Sequence, residues 1–549
     1  MITETRDVNS GPSPIHIDLK IMDFVYNDKD TTVRTTEGRL RGFYAGGLYQ
    51  FRGIKYADAK RFEAPQRVQP WDGIKDATSY GYCCTGASFP KNLPTDEISM
   101  GHRFWPESEH CQYLNIWTQS LDPKAAKPVM VWIHGGGYEE GSSLDLEVFD
   151  GSSTALAQDV VFVSLNHRLN VFGHLDVSDF GPQYANSVNA GLADLVAALE
   201  WIRDNIAAFG GDPGNVTLFG HSGGGGKISA LMQVPAAEGL FHKAIIMSGI
   251  IPDDNPLVRT EVPARELVLE IMKELGLGEG EFERFLRCPE VPLVRATRRA
   301  CQNITARGGQ VGWGPRKNDW YLGFAGYNPV TEFSKKIPVI NGNCITEFQM
   351  PIPIENTRNC NSVQRENYVK TVLGEEKGAQ LLELFRKAYP GVNEVYAPQT
   401  DTFFRQGSLA YLHAKADASS APVWSYMVTY ESDFHGGTMA YHGTELPYAF
   451  HNTDMVPSTF ASGKEEAKRL EKIFSDCFAA FARTGDPNIP ELPYWPPCKD
   501  GHITNMIIDR NCEVRTDHEE ELQAFLLKAL PPVPPDFFGP KDTDDRWLY

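Results

Sequence analysis

Apolar, β-branched runs recur along this chain at 129–133, 160–165, 216–219, 244–247, 339–341 and 423–428. Each run is continuous rather than alternating, which is the habit of strands buried on both faces, as in a parallel sheet covered by helices. The pattern therefore predicts an α/β fold with one central, mostly parallel sheet. Residues 190–208 read as a helix ahead of the 216–219 strand, and Gly210, Gly211, Asp212 and Pro213 supply the break that ends it. Late in the chain, Leu470, Ile473, Phe474, Cys477, Phe478 and Phe481 fall on one helical face, with Glu465, Lys468, Arg469 and Lys472 elsewhere. That spacing predicts an amphipathic helix covering the sheet. The run Pro531, Pro532, Val533, Pro534, Pro535 predicts an extended segment before an acidic tail. The expected organisation is an N-terminal extension over 1–30, one large domain over 31–530 and a tail over 531–549.

Chemistry enters directly after the 216–219 run, where Gly220, His221, Ser222, Gly223 and Gly224 form a G-x-S-x-G sequence. A strand turning this sharply into a helix needs strained backbone angles and close chain contacts, which glycines tolerate, and it presents the serine as a nucleophile. Ser222 is the expected nucleophile. The stretch from Gly223 to Lys227 also looks like a phosphate-cradling loop, but a Walker motif needs Gly six residues before the lysine and Ser or Thr after it. Those positions hold His221 and Ile228, so nucleotide binding is not expected.

A serine hydroxyl needs a base for its proton and donors for the oxyanion that its attack creates. His134, Gly135, Gly136 and Gly137 follow the 129–133 strand, matching an H-G-G-G loop. The N–H groups of Gly136, Gly137 and Gly223 are the expected oxyanion donors. In α/β hydrolases the acid and the histidine follow the serine in chain order, on loops beyond strands. Glu347 fits after 339–341, and His442 or His435 fits after 423–428; periodicity does not choose between the two histidines.

With 549 residues, 42% hydrophobic and 22% charged, the chain can bury a sizeable core. Its formal charge of -19 disfavours nucleic acid or an anionic membrane as partner. The first residues carry mixed charge without an apolar signal core, and no apolar run is long enough to span a bilayer, so a cytoplasmic protein is expected. Ten cysteines in this length are not a disulfide framework, and the adjacent Cys83 and Cys84 are not a C-x-x-C motif. No metal or cofactor is expected.

Taken together, the chain resembles the type-B carboxylesterase family of α/β hydrolases, which includes cholinesterases and bacterial para-nitrobenzyl esterases. The resemblance starts at Phe51, Gly53, Ile54, Tyr56 and Ala57 and runs through Ala198, Leu199, Glu200 and Trp201 and through Phe209 to Pro213 into the serine elbow. It closes with Phe481 to Asn488 and with Trp495 and Pro496. The resemblance implies an acid in G-x-x-x-x-E, here Gly342 to Glu347, and a histidine in H-G-x-E-x-x-x-x-F, here His442 to Phe450; that selects His442 over His435. Gly223 stands where the family often has alanine, and His221 where it often has glutamate. Cys84 and Cys111 resemble the family's early disulfide pair, with Cys83 as competitor; a reducing cytoplasm would leave them as thiols.

The resemblance implies an α/β-hydrolase fold, with long insertions around 85–108, 252–335 and 348–420 forming the substrate pocket. It implies a serine carboxylesterase that hydrolyses small-molecule esters through an acyl-enzyme. The alternatives are amide, carbamate or lactone hydrolysis by the same triad, and a non-catalytic cholinesterase-like binding protein. Choline esters are disfavoured, because His221 removes an anion from beside the serine and Trp105 alone does not replace it. The sequence leaves the oligomeric state and the natural substrate open.

Overall fold

The computed structural model describes residues 23–87, 101–255, 258–324, 330–460 and 463–530. The proline run at 531–535, the tail, most of the N-terminal extension and part of the 85–108 insertion lie outside the described residues.

An eleven-stranded sheet organises the molecule. In chain order its strands are β1 (Phe43–Ala45), β2 (Leu48–Lys55), β3 (Tyr113–Thr118), β4 (Lys127–Ile133), β5 (Val161–Leu165), β6 (Gly211–His221), β7 (Lys243–Met247), β8 (Val339–Cys344), β9 (Val423–Val428), β10 (Thr504–Ile508) and β11 (Glu513–Thr516). Across the sheet they run β11-β10-β9-β8-β7-β6-β4-β5-β3-β2-β1. From β10 to β5 every neighbouring pair is parallel. The outer strands β1, β2, β3 and β11 are antiparallel to their neighbours. All six apolar runs of the sequence are strands of this parallel centre.

Continuous apolar strands make sense because both faces of the sheet are covered. In β4, Val129, Val131 and Ile133 enter one hydrophobic core, while Met130 and Trp132 enter the other. The first core is filled by α1 (Ala190–Asn205), which contributes Leu192, Leu195, Leu199 and Ile202, and by α2 (Gly223–Leu231). The second is covered by α4 (Lys464–Thr484); its predicted stripe from Leu470 to Phe481 is buried in that core. A further helix, α3 (Phe403–Ala418), comes from the 348–420 insertion and packs on β8 and β9.

Two boundaries differ from expectation. The α1 helix ends at Asn205 and continues as a 3-10 turn over Ile206–Phe209, closed by Gly210 at φ 76. The following Gly211 does not merely break the chain; it already pairs with Lys127 of β4, and the register then shifts before Val216. Residues at the end of the N-terminal extension are tied to the domain, for Val25 bridges Tyr44 and Arg41 pairs with Asp28.

Candidate active site

Between the end of β6 and the start of α2, Ser222 holds φ 55 and ψ -127, a region that L-residues rarely adopt. The neighbouring strands enforce it: the Ser222 N–H donates to the Met247 carbonyl of β7 at 2.8 Å, while its carbonyl accepts from Gly226 in the first turn of α2 at 3.1 Å. The two motif glycines are required by contact. A Cβ at Gly220 would stand 2.7 Å from the Gly224 carbonyl carbon, and one at Gly224 would overlap the Ile133 carbonyl oxygen.

The glycine loop after β4 lies against this elbow. A Cβ at Gly135 would approach that of Ser222 to 3.3 Å, and Gly136 and Gly137 hold φ values of 79 and 60 that only glycine adopts without strain. A Cβ at Gly223 would overlap the backbone of Gly137. Gly223 therefore admits the loop to close range.

The expected acid and base lie together on the next loops of the same edge. His442 Nδ1 is hydrogen-bonded to Glu347 Oε2 at 2.6 Å, and the backbone N–H of His442 donates to the Glu347 carbonyl at 2.7 Å. The rival His435 is exposed on a 3-10 turn over Phe434–Gly436. The His442 ring stacks on Phe404 of α3 at 4.9 Å and 4°, touches Phe348 at 4.9 Å, and lies 4.2 Å from the ring of His221, the residue before Ser222. Its side chain is 18% exposed, while Glu347 is closed off from solvent.

Behind the histidine lies a network that motif reading did not anticipate. Glu347 Oε1 accepts from the Ser248 hydroxyl at 2.6 Å and from the Cys344 N–H at 2.9 Å. Glu445 lies on the far side of that hydroxyl, and its Oε2 accepts from the Cys344 thiol at 3.0 Å. Burial pushes both carboxyls up to about 7, and Asp401, which caps the start of α3, up to about 8. Burial also drives His442 and His221 down, so both imidazoles are neutral at rest. Glu445 was visible in the H-G-x-E motif; Ser248, Asp401 and Phe404 carried no local signal. Among the described residues no group of three His, Cys, Asp or Glu side chains is placed to hold a metal ion, and no helix is long and apolar enough to cross a membrane.

Comparison with known proteins places the chain in a family. The model of the family described as "Carboxylesterase family" matches residues 29–526. A para-nitrobenzyl esterase of Bacillus subtilis is 32% identical over 90% of this chain and 98% of its own. Among solved structures, an esterase from anaerobic Clostridium hathewayi, described as able to hydrolyze aliphatic aromatic polyesters, is 42% identical with a TM-score of 0.87, covering 92% of this chain and 99% of its own. A Geobacillus stearothermophilus carboxylesterase is 30% identical with a TM-score of 0.69, covering 90% of this chain and 100% of its own. Sequence and fold agree over most of its length, and the chain belongs to the carboxylesterase family, the type-B carboxylic ester hydrolases of the α/β-hydrolase fold.

Proposed function

We propose that Ser222 is the nucleophile of this esterase, His442 its general base and acid, and Glu347 the carboxylate that orients His442. The Ser222 oxygen attacks the ester carbonyl carbon as its proton passes to the neutral His442. The N–H groups of Gly136, Gly137 and Gly223 hold the oxyanion, and Glu347 stabilises the imidazolium. The alcohol leaves with the proton from His442. Water then attacks the acyl-enzyme, giving its proton to His442, and Ser222 regains that proton as the acid departs. The observation that carries this reading is the 2.6 Å bond from His442 to Glu347 on a ring packed beside the residue that precedes Ser222.

The substrates proposed are uncharged esters with apolar or aromatic groups. Phe348 and Phe404 make the wall at His442, and the neutral His221 offers no anion to a cationic alcohol. The Clostridium hathewayi esterase, described as able to hydrolyze aliphatic aromatic polyesters, supports the same preference. A reducing, cytoplasmic location is proposed on the buried thiols of Cys84 and Cys111.

Hydrolysis of para-nitrophenyl acetate, butyrate and octanoate by wild type, Ser222→Ala and His442→Ala tests the assignment. Both variants are expected to lose on the order of 10³-fold or more in kcat, and butyrylthiocholine should be a far poorer substrate than para-nitrophenyl butyrate. Near-normal turnover by Ser222→Ala would remove the serine from the mechanism.

A further inference from the structure

Lys227 lies in α2 beyond the glycine run and is closed off from solvent, with 0% exposure. Among the described residues no carboxylate stands within salt-bridge distance of its ammonium. Its surroundings are the aromatic face of Tyr138 at 6.0 Å and the neutral imidazoles of His134, His167 and His174, all driven down by burial. What Lys227 does hold is the glycine loop. Its Nζ donates to the carbonyl of His134 at 3.0 Å and to that of Gly135 at 3.4 Å. The Gly135 carbonyl also takes a bond from the His134 ring Nδ1 at 2.9 Å.

A trans peptide sets its C=O and N–H in opposite directions. Donors gripping the Gly135 carbonyl from behind therefore turn the Gly136 N–H to the opposite side of that peptide. A loop with three consecutive glycines has many backbone states open to it, and an oxyanion hole works only when its donors are already in place. We infer that Lys227 is a positioning residue that locks the H-G-G-G loop with its N–H groups presented to the oxyanion. This rests on the reading of Gly136, Gly137 and Gly223 as the oxyanion donors. The glycine run serves the same end, for a Cβ at Gly224 would crowd the carbonyls of Ile133 and His134 and push α2, with Lys227, off the loop. Burial brings Lys227 down to about 7, and since ammonium and amine both donate N–H, the grip survives either state.

The test compares Lys227→Met and Lys227→Gln with wild type and Ser222→Ala, using para-nitrophenyl butyrate and a trifluoromethyl ketone that forms a tetrahedral oxyanion adduct with a nucleophilic serine. Lys227→Met should lose on the order of 10- to 100-fold in kcat, hold KM within about threefold, and lose affinity for the ketone in proportion. Lys227→Gln, shorter but still an N–H donor, should fall between, and it carries the test if the Met variant does not fold. Either variant overturns the inference if it melts like wild type and keeps wild-type kcat and ketone affinity. A kcat loss without a matching loss of ketone affinity overturns it too. If Ser222→Ala is active, the nucleophile reading fails; if Ser222→Ala is dead and Lys227→Met is fully active, only the role of Lys227 fails.

Discussion

In the proposed triad Glu347 must be ionised to hold the proton-bearing Nδ1 of His442, yet it shares a buried hydroxyl with Glu445 and lies near Asp401. Arg405 lies close by, but it is bound to Glu519, with which it forms a buried ion pair. Two carboxylates in one buried network do not both ionise readily, and the one that serves His442 needs the other to keep its proton. Glu445→Gln fixes that neutral state permanently. The acidic limb of the kcat against pH profile should therefore move to lower pH, by about one unit. Stability follows from the direction of the shift. A carboxyl raised by burial contributes stability that is fully present below its unfolded value and is lost as pH rises through about 7. The variant should thus gain in melting temperature relative to wild type between pH 6 and 9, and an unmoved acidic limb would show that Glu445 does not influence Glu347.

At the scale of elements, the His442 loop is held by what lies at its end. Phe450 closes the H-G-x-E-x-x-x-x-F motif and inserts its ring among Trp132, Phe162 and Phe219 at 4.8, 5.6 and 5.5 Å. The motif's last residue is thus an anchor on the face of the sheet, one short helix (Leu446–Ala449) away from His442. Phe450→Ala should cost about 3–5 kcal/mol in denaturant unfolding and lower kcat in the same protein, because His442 loses its fixed position. Retained kcat alongside the stability loss would separate the anchor from the positioning of His442. The central strands and α4 were legible in sequence because their burial is written residue by residue, as in Leu470 and Phe478. The Gly and Pro signals at 210–213 marked the end of the helix, but such signals do not show that a strand can already pair there, as Gly211 does with Lys127. The aromatic wall was hidden for a different reason: Phe404 reaches His442 from an insertion whose docking depends on long-range contacts.

For the molecule as a whole, parallel strands deliver Ser222, the glycine loop and the loop of Glu347 to one end of the sheet, the edge proposed as catalytic. This much followed from strand order and motif position, whereas Lys227 looked like part of a failed phosphate loop because its target, the carbonyls of His134 and Gly135, lies far away in sequence. The redox state of Cys84 and Cys111 is also a whole-molecule property, since it depends on where the chain folds. Both thiols are buried, Cys84 Sγ accepts the Leu169 N–H at 3.3 Å, and burial pushes Cys111 well up. A disulfide closing a loop of this size would stabilise the fold by about 3 kcal/mol, enough to read as a drop in melting temperature on reduction. With the pair as thiols, dithiothreitol should change neither melting temperature nor turnover, and Cys84→Ser should remain active. A clear fall of melting temperature in reductant would show that the bond forms, and would point to an oxidising compartment instead of the reducing one proposed.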